Sequence, residues 1–253
     1  MADIDSEILQ GRAGVRPSSQ EMAKDMGLRN FLLGIYQKMA LGLLVTGAMA
    51  YAVANSPVLL QLIYRQEFGQ IAGYTPLGYV FLFAPLGLVL ISNLFMRNLN
   101  VVAMAAFYWL YVAVMGVSLS SIFLMYTGMS IATVFFITAG TFGAVSLFGY
   151  TSKVNMSAWG SFLIMAVVGM IIASLVNVFL LKSGALDWAI SAIGILIFSG
   201  LIAYKTQWLK GIYYELGGSQ RGLAAMTYYG AMSLYISFIN LFLSLLRIFG
   251  GRR

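Results

Sequence analysis

Apolar residues fall into seven blocks along the chain, at residues 31–55, 77–96, 101–126, 131–149, 158–181, 188–208 and 226–250. Each is near the length of about 20 residues that a helix needs to cross the hydrocarbon core of a bilayer. Between the blocks stand Pro57 with the polar segment 65–75, Arg97 with Asn98 and Asn100, the run from Tyr150 to Lys153, Asp187, and the stretch holding Lys210, Tyr213, Glu215 and Arg221. The pattern predicts an all-α membrane protein of seven transmembrane helices. Within them, Pro85 predicts a kink in the second span. Gly140, Gly143 and Ala144 predict close backbone approach in the fourth. Asn177 is expected to be buried in the fifth, and Trp188 and Trp208 bracket the sixth at the depth of the interfacial aromatic belts.

The seventh block differs from the others. Gly230, Ser233, Ser237, Asn240, Ser244 and Arg247 recur three and four residues apart, which stacks them on one face of a helix. At about 1.5 Å rise per residue this seam is about 26 Å long, close to the hydrocarbon thickness. A polar line of that length is expected to face protein or water instead of lipid, so the last helix is the predicted centre of the molecule.

Residues 1–28 are polar and of mixed charge, and read as a flexible tail preceding a membrane domain at 29–253. Acids come first and no apolar core with a cleavage site follows, so the tail does not read as a signal peptide. Pro17, Ser18 and Glu21 fit a capping box for a short interfacial helix, which Gly27 weakens; an unstructured leader fits equally.

With 60% hydrophobic and 9% charged residues, the composition lies well outside the soluble range. The formal charge of +7 is spread singly among the loops and builds no phosphate-binding face, so it points to membrane orientation and not to nucleic acid. In a seven-span chain one side receives Arg16, Lys24, Arg29, Lys38, Arg97, Lys153, Lys210 and Arg221. The other receives Arg65, Lys182, Arg247, Arg252 and Arg253. The positive-inside rule then puts the N-terminus in the cytoplasm.

The chain has neither Cys nor His, and each Asp and Glu falls in the tail, a loop or a helix end. Mid-membrane acid–base work, cation ligation and thiol chemistry therefore lack their groups, and neither an enzyme, a cofactor nor a metal site is expected. Ser118, Ser120 and Ser121 have no base to activate them, so helix–helix hydrogen bonding is their expected role. Lys205, about one turn before Trp208, has as its default a snorkelling lysine that reaches the headgroups. The sharper alternative is a fixed charge facing the seam. For Ser237 and Asn240 the default is interhelical hydrogen bonding, against lining a permeation path.

Three runs carry a family resemblance: residues 150–157 (Tyr-Thr-Ser-Lys-Val-Asn-Met-Ser), residues 203–207 (Ala-Tyr-Lys-Thr-Gln) and residues 234–242 (Leu-Tyr-Ile-Ser-Phe-Ile-Asn-Leu-Phe). Together with Tyr36 to Met39, Thr46-Gly47 and Ser118 to Phe123, they resemble the signature segments of the Bax inhibitor-1 family (TMBIM proteins) in its bacterial branch. That resemblance implies a bacterial inner membrane protein whose seventh helix is surrounded by the other six. It also implies a calcium leak gated by pH through two proton-sharing aspartates. Lys205 and Ser237 stand at the two acidic positions, so the sensor does not carry over.

Two functions follow as expectations. One is a leak for calcium or another cation that is weak or insensitive to pH. The other is a non-conducting regulator that binds other membrane proteins, such as quality-control proteases. The lipid bilayer is the expected surrounding in both.

Overall fold

The computed structural model describes residues 19–67, 70–96, 100–217 and 219–252. Most of the tail lies outside these residues, including Pro17 and Ser18 of the expected capping box, as do Arg97, Asn98 and Arg253.

Helix α1 runs unbroken over Ser19–Asn55, through Gly27. Pro57 opens a short second helix, α2 (Pro57–Ile63), where its missing N–H is no loss. The segment expected to be loop is instead largely a hairpin of β1 (Tyr64–Glu67) and β2 (Gln70–Tyr74). Tyr64 pairs with Tyr74 and Arg65 with Gly73, and a bulge follows Arg65. The Tyr64 and Tyr74 rings, tilted against each other with centroids 5.2 Å apart, give so short a hairpin its packed face.

Helix α3 (Pro76–Met96) carries Pro85 in its interior. Asn100 caps α4 (Val101–Ser118) by accepting the amides of Val102 and Ala103. The third apolar block breaks at Leu119, after which α5 (Ser120–Met125) completes it. Helix α6 spans Gly128–Thr151 and α7 spans Ser157–Val176. A π turn over Asn177–Leu181 closes α7, ending at Lys182 in the left-handed region (φ 47°). Helices α8 (Gly184–Glu215) and α9 (Gln220–Phe249) begin at the capping hydroxyls of Ser183 and Ser219.

Among the described residues, six helical stretches are long and apolar enough to cross a membrane: Asp25–Asn55, Val101–Met125, Gly128–Thr151, Ser157–Leu181, Gly184–Glu215 and Gln220–Phe249. In α3 the described apolar stretch, Pro76–Ser92, is shorter. Helices α1 and α4 run parallel. The Tyr108 hydroxyl donates to the Lys38 carbonyl and Thr46 donates to the Val112 carbonyl, and beyond α4 Tyr51 meets Phe123 of α5, so residue numbers rise together along both.

Helix α9 is the most buried of the six and packs directly on α1, α4, α6 and α8. Helix α3 lies chiefly against α4, and α7 against α8. The core around α9 is apolar and aromatic: Phe238 meets Phe135 and Phe142, and Tyr235 meets Tyr111. Outward faces stay apolar too. On α7, Phe162, Ile164, Met165 and Ile172 are all exposed, an arrangement suited to lipid and costly in water.

Candidate functional site

Helices α8 and α9 meet antiparallel, and the polar seam of α9 is the face that meets α8. Going up α8, Asp187 pairs with Arg247 at 3.6 Å, and Gly194 lies against the Ser244 hydroxyl. Lys205 then bonds at Ser233 and Ser237, and Leu209 covers Gly230. Small residues on the seam leave room for side chains coming from α8, so the pattern that marked the seam in the sequence also fixes its partner.

Lys205 does not snorkel. Its Nζ donates to the Ser233 carbonyl at 2.9 Å and to the Ser237 hydroxyl at 3.0 Å, across the helix interface. An ammonium only donates, so Ser237 Oγ accepts, and its own proton is directed at the Ser233 carbonyl, 3.3 Å away. The result is a closed triangle of Lys205, Ser237 and a helix carbonyl, with Ser237 0% exposed. The snorkelling default assumed that the nearest polar atoms were headgroups. Ser233 and Ser237 offer two acceptors closer still.

The rest of the seam is also engaged. Asn240 donates to the Ile236 carbonyl and Ser244 to the Asn240 carbonyl, both within α9. The interhelical role thus fits Ser237, whereas the Asn240 amide turns back on its own helix. Of the carboxylates, Asp187 and Glu215 stand at the two ends of α8, Glu67 in the hairpin and Asp25 in the early turns of α1.

A second polar track was not foreseen. Thr206 donates to the Ile202 carbonyl, which leaves its oxygen to accept from Ser146 at 3.1 Å. Ser146 in turn accepts from the Tyr36 hydroxyl at 2.6 Å, so three hydroxyls join α1, α6 and α8. Thr206 adjoins Lys205, but single hydroxyls on three separate helices leave no periodic trace in a sequence.

Gln207 is also more than a neighbour of Lys205. Its side-chain amide donates to the Ser152 and Val154 carbonyls and accepts the Met156 amide, which holds the α6–α7 loop on α8. Two of the signature runs are therefore one clamp in space. In the same region Gly149 packs on the backbone of Ala203, where a Cβ would collide.

That contact corrects the expectation for the other glycines of α6. A Cβ at Gly140 or Gly143 would meet nothing within 4 Å, so neither serves close packing. In the third block, Ser120 is buried and donates to the Val117 carbonyl, and it shares a 2.8 Å hydrogen bond with Tyr64. Burial pushes the Tyr64 phenol above its ordinary value of 10.0. Asn177 is buried, but at the end of α7: it exchanges hydrogen bonds with the Ser183 backbone and ties the π turn to the start of α8.

The chain as a whole matches a known family. A family model described as inhibitor of apoptosis-promoting Bax1 covers residues 28–253. A protein of Caulobacter vibrioides is 53% identical over 92% of this chain and 93% of its own length. Inner membrane protein YbhL of Escherichia coli is 42% identical over 90% and 94%, and Rickettsia prowazekii protein RP147 is 41% identical over 93% and 95%. With its long apolar helices and these relatives, the chain is a multi-pass membrane protein that belongs to the Bax inhibitor-1 family.

Proposed function

We propose that the chain is a seven-span protein of the bacterial inner membrane, N-terminus in the cytoplasm, whose central seam is closed by a fixed cation instead of gated by protons. The seventh span would be α3. Since α1 and α4 run parallel, the chain must return across the membrane between them, and the 21 residues of α3 give about 31 Å for it. The central helix is α9, with four helices directly around it and α3 and α7 one step further out.

The carrying observation is the bond from Lys205 to Ser237 and the Ser233 carbonyl. At about 8 Å and an effective dielectric of about 20, one unit charge is worth about 2 kcal/mol to a monovalent ion. A lysine in place of an aspartate swings this by about 4 kcal/mol, roughly a thousandfold in occupancy, and by more for calcium. A calcium leak through this seam is weak, and it is flat in pH because no carboxylate pair is present to titrate.

Calcium flux into liposomes tests this reading. Low flux, constant across about pH 6 to 8, where a proton-sharing carboxylate pair would titrate, is the expected result. A steep rise within that window overturns it.

The same bond favours a second reading over an open pore. With the seam's side chains engaged inside the bundle, the protein acts as a non-conducting regulator that binds other membrane proteins, such as quality-control proteases. Cross-linking in native membranes followed by affinity recovery tests this, and the absence of a reproducible partner counts against it.

A further inference from the structure

A groove of about 570 Å³ opens on the flank of the bundle between α1 and α6, outside the Lys205 site. Arg29 and Tyr150 stand at one end, Tyr36 and Ser146 form part of the wall, and Gly143 lies along it. Its volume is in the range of about 300 to 1,000 Å³ typical of pockets that enclose a small apolar ligand.

We propose that this groove binds an anionic phospholipid of the surrounding bilayer, with an acyl chain along Gly143 and the phosphate at Arg29. Three observations choose this occupant. First, the hydroxyls in the wall are satisfied by one another through the Tyr36–Ser146–Thr206 chain, so the deep part asks for no polar partner and suits hydrocarbon. Second, Leu33 and Leu147 at the groove are 45% and 63% exposed on membrane-crossing helices, so the groove borders lipid sideways. Third, the polar end is cationic. Arg29 is exposed and forms no ion pair with any described residue, including Asp25 one turn earlier on the same helix. Lys210 sits beside Tyr150, 5.0 Å from its ring.

Gly143 has a defined part in this site. Nothing lies within 4 Å of where its Cβ would be, so the missing side chain is part of the groove's volume. A leucine there would occupy the acyl path while leaving the helix packing undisturbed. Gly169 on α7 has equally open surroundings but is away from the groove, which makes Gly169→Leu the matched control.

The test is native mass spectrometry of the full chain in detergent, mixed with equal amounts of phosphatidylglycerol and phosphatidylcholine of the same chain length. Wild type is expected to retain phosphatidylglycerol about fivefold over phosphatidylcholine, the preference one arginine near an anionic headgroup provides. Arg29→Gln should keep lipid but move the ratio toward equality. Gly143→Leu should lose the retained lipid, and Gly169→Leu should behave as wild type. No preference in wild type overturns the proposal, as does unchanged retention in Gly143→Leu or equal loss in both leucine variants. Should Gly143→Leu fail to fold, the ratio measured for Arg29→Gln decides on its own.

Discussion

Lys205 makes two hydrogen bonds that cross from α8 to α9, and their loss should not be symmetric. Ser237→Ala leaves the ammonium in place with one acceptor fewer. Its expected cost is about 1.5 to 3 kcal/mol, the range for hydrogen bonds to charged groups. Lys205→Met removes the charge itself and fills a similar volume, so it should be neutral or stabilising. Unfolding titrations of both variants in mixed micelles check the pair, and a Ser237→Ala variant as stable as wild type would mean that the bond carries no weight. Gly149→Ala places a methyl against the Ala203 backbone, which cannot rotate away, and should cost about 1 to 3 kcal/mol. Gly140→Ala meets open space and should gain up to about 1 kcal/mol from helix propensity. Thermal melts of these two alanine variants should therefore move in opposite directions. The two glycines look alike in sequence, because propensity and spacing say nothing about what stands opposite each one. Sequence left Lys205 open between the interface and the seam for a related reason: the choice depended on the helix rotation, which brings Ser233 and Ser237 within reach.

The apolar blocks set the helices well, but their joints depended on partners remote in sequence. The third block reads as one span, yet it breaks at Leu119, beside the buried Ser120 that bonds Tyr64 of the hairpin. The hairpin itself is short and polar on its outer strand face, so it read as loop. Burial raises the Tyr64 phenol above 10.0, which means the folded state holds that proton more tightly than the unfolded one. Its contribution is then complete below about pH 10 and is lost as pH rises further. Protection of the hairpin amides, taken relative to intrinsic exchange at each pH, should stay level through neutrality, whereas Tyr64→Phe, which lacks the bond to Ser120, should lower it there. At the close of α7, Asn177→Ala removes both bonds to Ser183, and the π turn should fray with a loss of about 1 to 2 kcal/mol. Equal exchange protection at Val178 to Leu181 in that variant would contradict this role.

At the scale of the whole molecule, the proposed seven-crossing topology puts the ends of α3 on opposite sides of the membrane. The chain has no Cys, so single cysteines report cleanly. Ser56→Cys should react with an impermeant thiol reagent added to the periplasmic side, and Asn100→Cys should be protected from it. Labelling of both from one side would reduce the count of crossings to six. The burial of α9 was legible because a polar seam cannot face lipid, and its buried face does contain Gly230, Ser237 and Ser244. What the seam meets was not legible, since α8 carries little matching periodicity beyond Lys205 and Asp187.

The central claim is that Lys205 and Ser237 together replace a proton-sensitive pair by a fixed, closed contact. Calcium flux into liposomes carrying the Lys205→Asp, Ser237→Asp double variant, measured beside wild type, bears on it most directly. The expected result is a leak that changes steeply across about pH 6 to 8 in the double variant and a low, flat flux in wild type. A wild-type flux with the same pH dependence as the double variant would contradict it.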